Sequence, residues 1–182
     1  LDFKTEFEVI SSNPDTTAPE FKNLEVSEDI FNVTDGDKTF NLTANLTDDI
    51  SGFISDSSQS YVDLSWSSPS GDQYVSANMG AYMYDYLDSD LDWQDIIINV
   101  DDNNISFENI EVTIPQYSEP GTWTLERLYA SDAIGNTLDI DRNYDGNYVI
   151  EGVDENGDYI EKLIDLDSVS YTHLTLPTII GV

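Results

Sequence analysis

A two-residue period of apolar side chains constrains this chain more than any other feature. It recurs along the sequence between short clusters of turn-forming residues. In residues 39–46, Phe40, Leu42, Ala44 and Leu46 alternate with polar residues. Successive side chains of a strand point to opposite faces, so this pattern builds a half-buried strand and not a helix. Residues 61–67 repeat it with Val62, Leu64 and Trp66. Further strands are predicted at 21–26, 75–79, 96–100, 110–114 and 122–130, the last turning Trp123 and Leu125 inward. Asp-Gly tolerates positive φ, so Thr34-Asp35-Gly36-Asp37 is predicted to be a hairpin turn. Ser68-Pro69-Ser70-Gly71 and residues 115–121 are further turns, and residues 82–95 read as a loop over the core. Past Asn136, residues 148–153 and 159–164 flank Asp154-Glu155-Asn156-Gly157-Asp158, an acidic β-hairpin. The predicted fold class is all-β: an antiparallel β-sandwich with an extra acidic β-hairpin. Phe40, Leu42, Leu46, Val62, Leu64, Trp66, Ile114, Trp123 and Leu125 should share one core.

The charge is as one-sided as the pattern is regular. Thirty-seven acidic residues against six basic ones give a formal net charge of −31 in 182 residues. Such a field repels nucleic acid and anionic membranes and draws cations. Apolar content of 39 % and aromatic content of 12 % are too high for a disordered acidic chain. The acidity is spread along the sequence, so it belongs to a folded surface. Adaptation to a salty medium and cation binding both account for it. There is no cysteine, which excludes disulfides and zinc–thiolate sites and leaves a metal as the available staple. No stretch is long and apolar enough to span a membrane as a helix.

Three motifs place carboxylates beside turn residues: Asp15-Thr16-Thr17-Ala18-Pro19, Thr47-Asp48-Asp49-Ile50-Ser51-Gly52 and Ser131-Asp132-Ala133-Ile134-Gly135-Asn136. The second and third each follow an alternating run. If those runs are the second and sixth strands of a sandwich, both loops emerge at one end, where the incoming linker also arrives. Asp15, Asp48, Asp49, Asp132 and Asn136 would then converge. Calcium takes about six to eight oxygen ligands and suits such a cluster. Solvated turn and capping roles would use the same residue types. A second candidate is Asp141-Arg142-Asn143-Tyr144-Asp145-Gly146, in which Asp141, Asn143 and Asp145 match the first half of an EF-hand loop. Its twelfth position is Gly152 and not glutamate, so an acidic turn is the competing reading. Trp93 is the one tryptophan expected to be exposed and able to stack on a sugar, whereas Trp66 and Trp123 lie in strand patterns. No G-x-S-x-G or H-E-x-x-H pattern occurs, and the chain is not expected to be an enzyme.

Together the three motifs, from Asp15 to about Asn136, resemble bacterial immunoglobulin-like repeats of large cell-surface and secreted proteins. The resemblance implies an extracellular immunoglobulin-like sandwich, rigidified by calcium at its junctions, whose partners are neighbouring repeats of the same chain. It implies a spacer or adhesion module that meets surface glycans or other cell-surface proteins. A carbohydrate-binding accessory module of a secreted enzyme is the alternative. On this reading residues 1–14 are the last strand of a preceding repeat and its linker. Residues 15–168 are the domain, cut short before its last strand. Residues 169–182, Val-Ser-Tyr-Thr-His-Leu-Thr-Leu-Pro-Thr-Ile-Ile-Gly-Val, resemble a translated transposase-type sequencing adapter. They are expected to be non-native, which removes the single histidine, His173, from any functional argument.

Overall fold

The computed structural model describes residues 8–53, 61–80, 97–101, 103–153, 159–164 and 178–179. Every regular element among them is a strand. One sheet has four strands in the order β1 (Glu20–Val26), β3 (Lys38–Thr47), β7 (Asn104–Ile114) and β6 (Ile97–Asp101). The other has six: β12 (Tyr159–Ile164), β11 (Tyr148–Val153), β10 (Thr137–Arg142), β9 (Thr124–Ser131), β4 (Tyr61–Ser67) and β5 (Tyr74–Gly80). All pairs in both sheets are antiparallel. The first order is that of the ABED sheet of an immunoglobulin domain, and β4, β9 and β10 take the C, F and G positions of the facing sheet. β2 (Ile30–Phe31), β13 (Thr178–Ile179) and β8 (Gly121–Thr122) form a separate three-stranded ribbon.

The inward parity of the strands makes the core. All nine residues expected there are buried in one cluster, joined by Phe31, Phe107, Leu128 and Ile140 among others. Phe40 lies 5.4 Å from the Phe31 ring and edge-on to Trp66 at 6.1 Å. Burying side chains of this size stabilises the fold by about 1.5–3 kcal/mol each before entropy is counted.

Three bulges break the two-residue period. In β1 the register shifts between Phe21 and Asn23, so Phe21 and Leu24 both face inward. In β7, Leu42 faces Ile110 and Ala44 faces Phe107, so Glu108 and Asn109 stand against one residue of β3. Asn109 takes φ 59° there. In β9, Trp66 faces Leu125 and Ser65 faces Arg127, which leaves Glu126 as the extra residue.

Past Asn136 the chain also forms β10, a strand not predicted above, which fills the position beside β9. One expectation is corrected. Residues 34–37 do not close a hairpin, because β2 does not pair with β3. The acidic hairpin exists as β11 and β12, added outward from β10. Its turn, the 82–95 loop, Trp93, His173 and the first seven residues lie outside the described residues.

Candidate metal centre

The centre is assembled where β3 and β9 end and the segment before β1 arrives. β3 pairs Thr47 with Glu20, the first residue of β1, so Asp48 and the linker meet at one pole. The Asp48 amide donates to the Asn103 carbonyl at 2.9 Å, and the chain turns back on itself. Asp48 Oδ2 accepts from the amides of Ile50 (3.2 Å) and Gly52 (2.7 Å) and from the Ser51 hydroxyl (3.4 Å).

Asp132 organises the other loop in the same way. Its Oδ1 accepts from the amides of Ile134, Gly135 and Asn136 at 2.7–2.9 Å, and its Oδ2 accepts from Asn136 Nδ2 at 2.7 Å. Gly135 has φ 94°, a conformation other residues reach only with strain, and this lets the loop close on the carboxylate. The Ala133 amide donates to the Gly52 carbonyl at 2.9 Å and fastens the two loops together.

Asp15 ties the linker to this pair. Its Oδ2 accepts from the Ser51 amide at 2.9 Å, and its Oδ1 from the amide and hydroxyl of Thr17, each at 3.0 Å. Hydrogen bonds from Ser51 first and Thr17 second lower the Asp15 carboxyl from its ordinary 3.8 to about 2. The Thr17 hydroxyl also lies 2.5 Å from Asp49 Oδ1, so one proton serves two carboxylate oxygens.

Oxygens of Asp15, Asp48 and Asp132 all lie within 4.8 Å of one another. Ligands that share one calcium ion are at most about 5 Å apart, twice the usual calcium–oxygen distance, so the triad has the right span. Asp132 is fully buried and Asp48 is 6 % exposed. Asp48 Oδ1 has no hydrogen-bond partner although it is shut off from solvent. A buried acceptor without a partner is costly, and this one belongs to a triad of carboxylates. A cleft of about 260 Å³ beside it is lined by Thr17, Ala18, Glu20, Thr47, Asp48 and Asp49.

The residues expected here therefore separate into layers. Asp15, Asp48 and Asp132 converge; Asn136 is bonded to Asp132, and exposed Asp49 reaches the group through Thr17. The hydroxyl and amide donors Thr17 and Ser51 were not expected, although both stand inside the quoted motifs.

The EF-hand-like residues do not converge. Asp141 lies in β10, 3.8 Å from Arg127 across the strand pair, and burial raises its carboxyl pKa. Asn143 Oδ1 accepts from the amides of Asp145 and Asn147 at 3.1 and 3.0 Å, closing the β10–β11 turn, and Asp145 is exposed. Matching spacing thus produces a hairpin turn, because β10 continues the sheet through Asp141.

The outer face of the six-stranded sheet carries the remaining site-like group. Tyr61 and Tyr129 stack at 4.9 Å, and the Arg127 guanidinium lies 5.1 Å from the centre of the Tyr129 ring. Arg127 is held by a two-pronged pair to Asp139 at 2.9 and 2.7 Å. Tyr129 already contacts Tyr61 and Arg127, which disfavours it as a sugar-stacking platform. Comparison of the chain with protein-family models, with curated proteins and with solved structures gave no match.

Proposed function

We propose that this chain is a calcium-stiffened immunoglobulin-like module of an extracellular bacterial repeat protein, acting as a spacer or adhesion unit. The observation that carries the reading is Asp48 Oδ1, a buried and unpartnered oxygen within a triad of carboxylates drawn from three separate segments. A cation bound there would neutralise the triad and clamp the linker to the ends of β3 and β9. What precedes residue 15 would then hold a fixed direction relative to the sandwich, which is what a spacer requires. The all-acidic oxygen donors and the absence of histidine or cysteine among them favour a hard cation such as calcium.

The test is thermal unfolding of the whole chain in calcium, in magnesium and in sodium at matched ionic strength. Binding to the folded state alone adds about 2.7 kcal/mol at a hundredfold excess over the dissociation constant. Calcium should raise the melting temperature well above the other two, since magnesium demands a tighter octahedral shell. Asp132→Ala should abolish the gain, and Asp63→Ala, on the outer sheet face, should keep it. Equal stabilisation by all three salts would reduce the acidity to a screened surface.

A further inference from the structure

At the pole opposite the carboxylates, the ribbon of β2, β13 and β8 closes the sandwich. β1 runs away from the triad from Glu20 to Val26, and β2 follows it at the far end. β8 begins the strand line that β9 carries to Ser131, next to Asp132. Between them Thr178 and Ile179 pair in parallel with Ile30 and Phe31, and antiparallel with Thr122 and Gly121. The last strand of the sandwich is thus split. β10 pairs with Arg127 to Ser131, leaves at Asn143, and the chain returns to the same line at residues 178–179.

The walls of this slot are tied to the sandwich by their own packing. Phe31 is anchored in the core against Phe40, and Trp123, next to β8, is buried and donates from Nε1 to the Glu119 carbonyl at 3.0 Å. A Cβ at Gly121 would stand 2.6 Å from Pro69, so the β4–β5 turn presses β8 into position. Removing β13 would leave two facing strand edges with unpaired backbone groups, a template for an incoming strand. The occupant's chemistry is distinctive: residues 169–182 hold no Asp, Glu, Lys or Arg, in a chain with 43 such residues.

We infer that the groove between β2 and β8 is a strand-acceptor site. Its ligand is an extended, uncharged peptide running parallel to Ile30–Phe31, and Thr178–Ile179 is one such ligand held in cis. Recognition is by backbone pairing. On the reading of residues 169–182 as adapter-encoded, the slot accepts a segment never selected to fit it. Only two residues pair, so covalent attachment to the same chain supplies much of the occupancy as effective concentration, and the segment is exchangeable.

The test uses engineered cysteines in the whole chain, which has none of its own. Ile30→Cys with Thr178→Cys should form an intramolecular disulfide under mild oxidation, several-fold faster than Tyr74→Cys with Thr178→Cys. Ile179→Pro removes a backbone donor and should open the slot and lower the melting temperature. A synthetic peptide of residues 174–182 with Cys at position 178, added to the Ile30→Cys, Ile179→Pro chain, should cross-link and recover that loss. The same peptide with proline at position 179 should do neither. Failure of the Ile30 pair to outpace the Tyr74 control, or equal cross-linking by both peptides, would overturn the proposal. The first arm needs no destabilised variant, so a misfolded Ile179→Pro chain would not shield it.

Discussion

Asp48 and Asp132 show how two carboxylates in similar loops come to differ. Asp132 has both oxygens engaged by its own loop. Asp48 uses one oxygen for its loop and leaves the other buried and unpaired. Asp48→Asn keeps the shape and removes a charge, so it should raise the melting temperature in chelator. In saturating calcium the order should reverse, with the unsubstituted chain the more stable. Paired melting curves check this, and a variant that is less stable under both conditions would mean Asp48 serves only its turn. Asp15 gives a pH signature. Its folded carboxyl lies near 2, below the ordinary 3.8, so the folded state holds the ionised form more tightly. The sign follows: its contribution is present above about pH 4 and is lost as pH falls toward 2. Acid unfolding of Asp15→Asn should therefore lack part of the loss seen in the unsubstituted chain over that window. The residues of the triad were legible because each stands beside turn-forming residues, and Asp48 and Asp132 also close alternating runs. For Asp141, Asn143 and Asp145, spacing alone does not reveal that a strand runs through the first of them.

At the level of elements, the alternating strands β3 and β4 were read to within a residue or two, and so were β11 and β12. Bulged strands were read in part. β7 was found only from Ile110 onward, since Asn109 resets the parity that Ile105 and Phe107 had established. β10 was missed because Asp139 and Asp141 interrupt the apolar pattern and Asp141 was read as opening a loop motif. They are instead partners of Arg127 on the outer face. Those ion pairs are partly exposed, and Arg127→Ala should cost only about 1 kcal/mol or less. The β7 bulge makes a sharper prediction. Asn109 has φ 59°, which a β-branched residue adopts only with strain. Asn109→Val should destabilise the fold by about 1–2 kcal/mol, and Asn109→Gly should be near neutral. Urea unfolding of the two variants measures the difference. Equal effects would show that the cost lies in the lost side chain and not in the backbone.

Over the whole molecule, the sandwich joins two poles of opposite character. One gathers carboxylates from the linker and the ends of β3 and β9; the other holds an uncharged strand between β2 and β8. With a formal net charge of −31, sodium alone stabilises the compact state by screening, so a rise in melting temperature is not by itself evidence of a site. Calorimetric titration of calcium into the chain at constant, high ionic strength separates the two effects. The account predicts a saturable site that is lost in Asp48→Asn and retained in Asp63→Asn. No saturable binding in the unsubstituted chain, or binding of the same strength in Asp48→Asn, would contradict it.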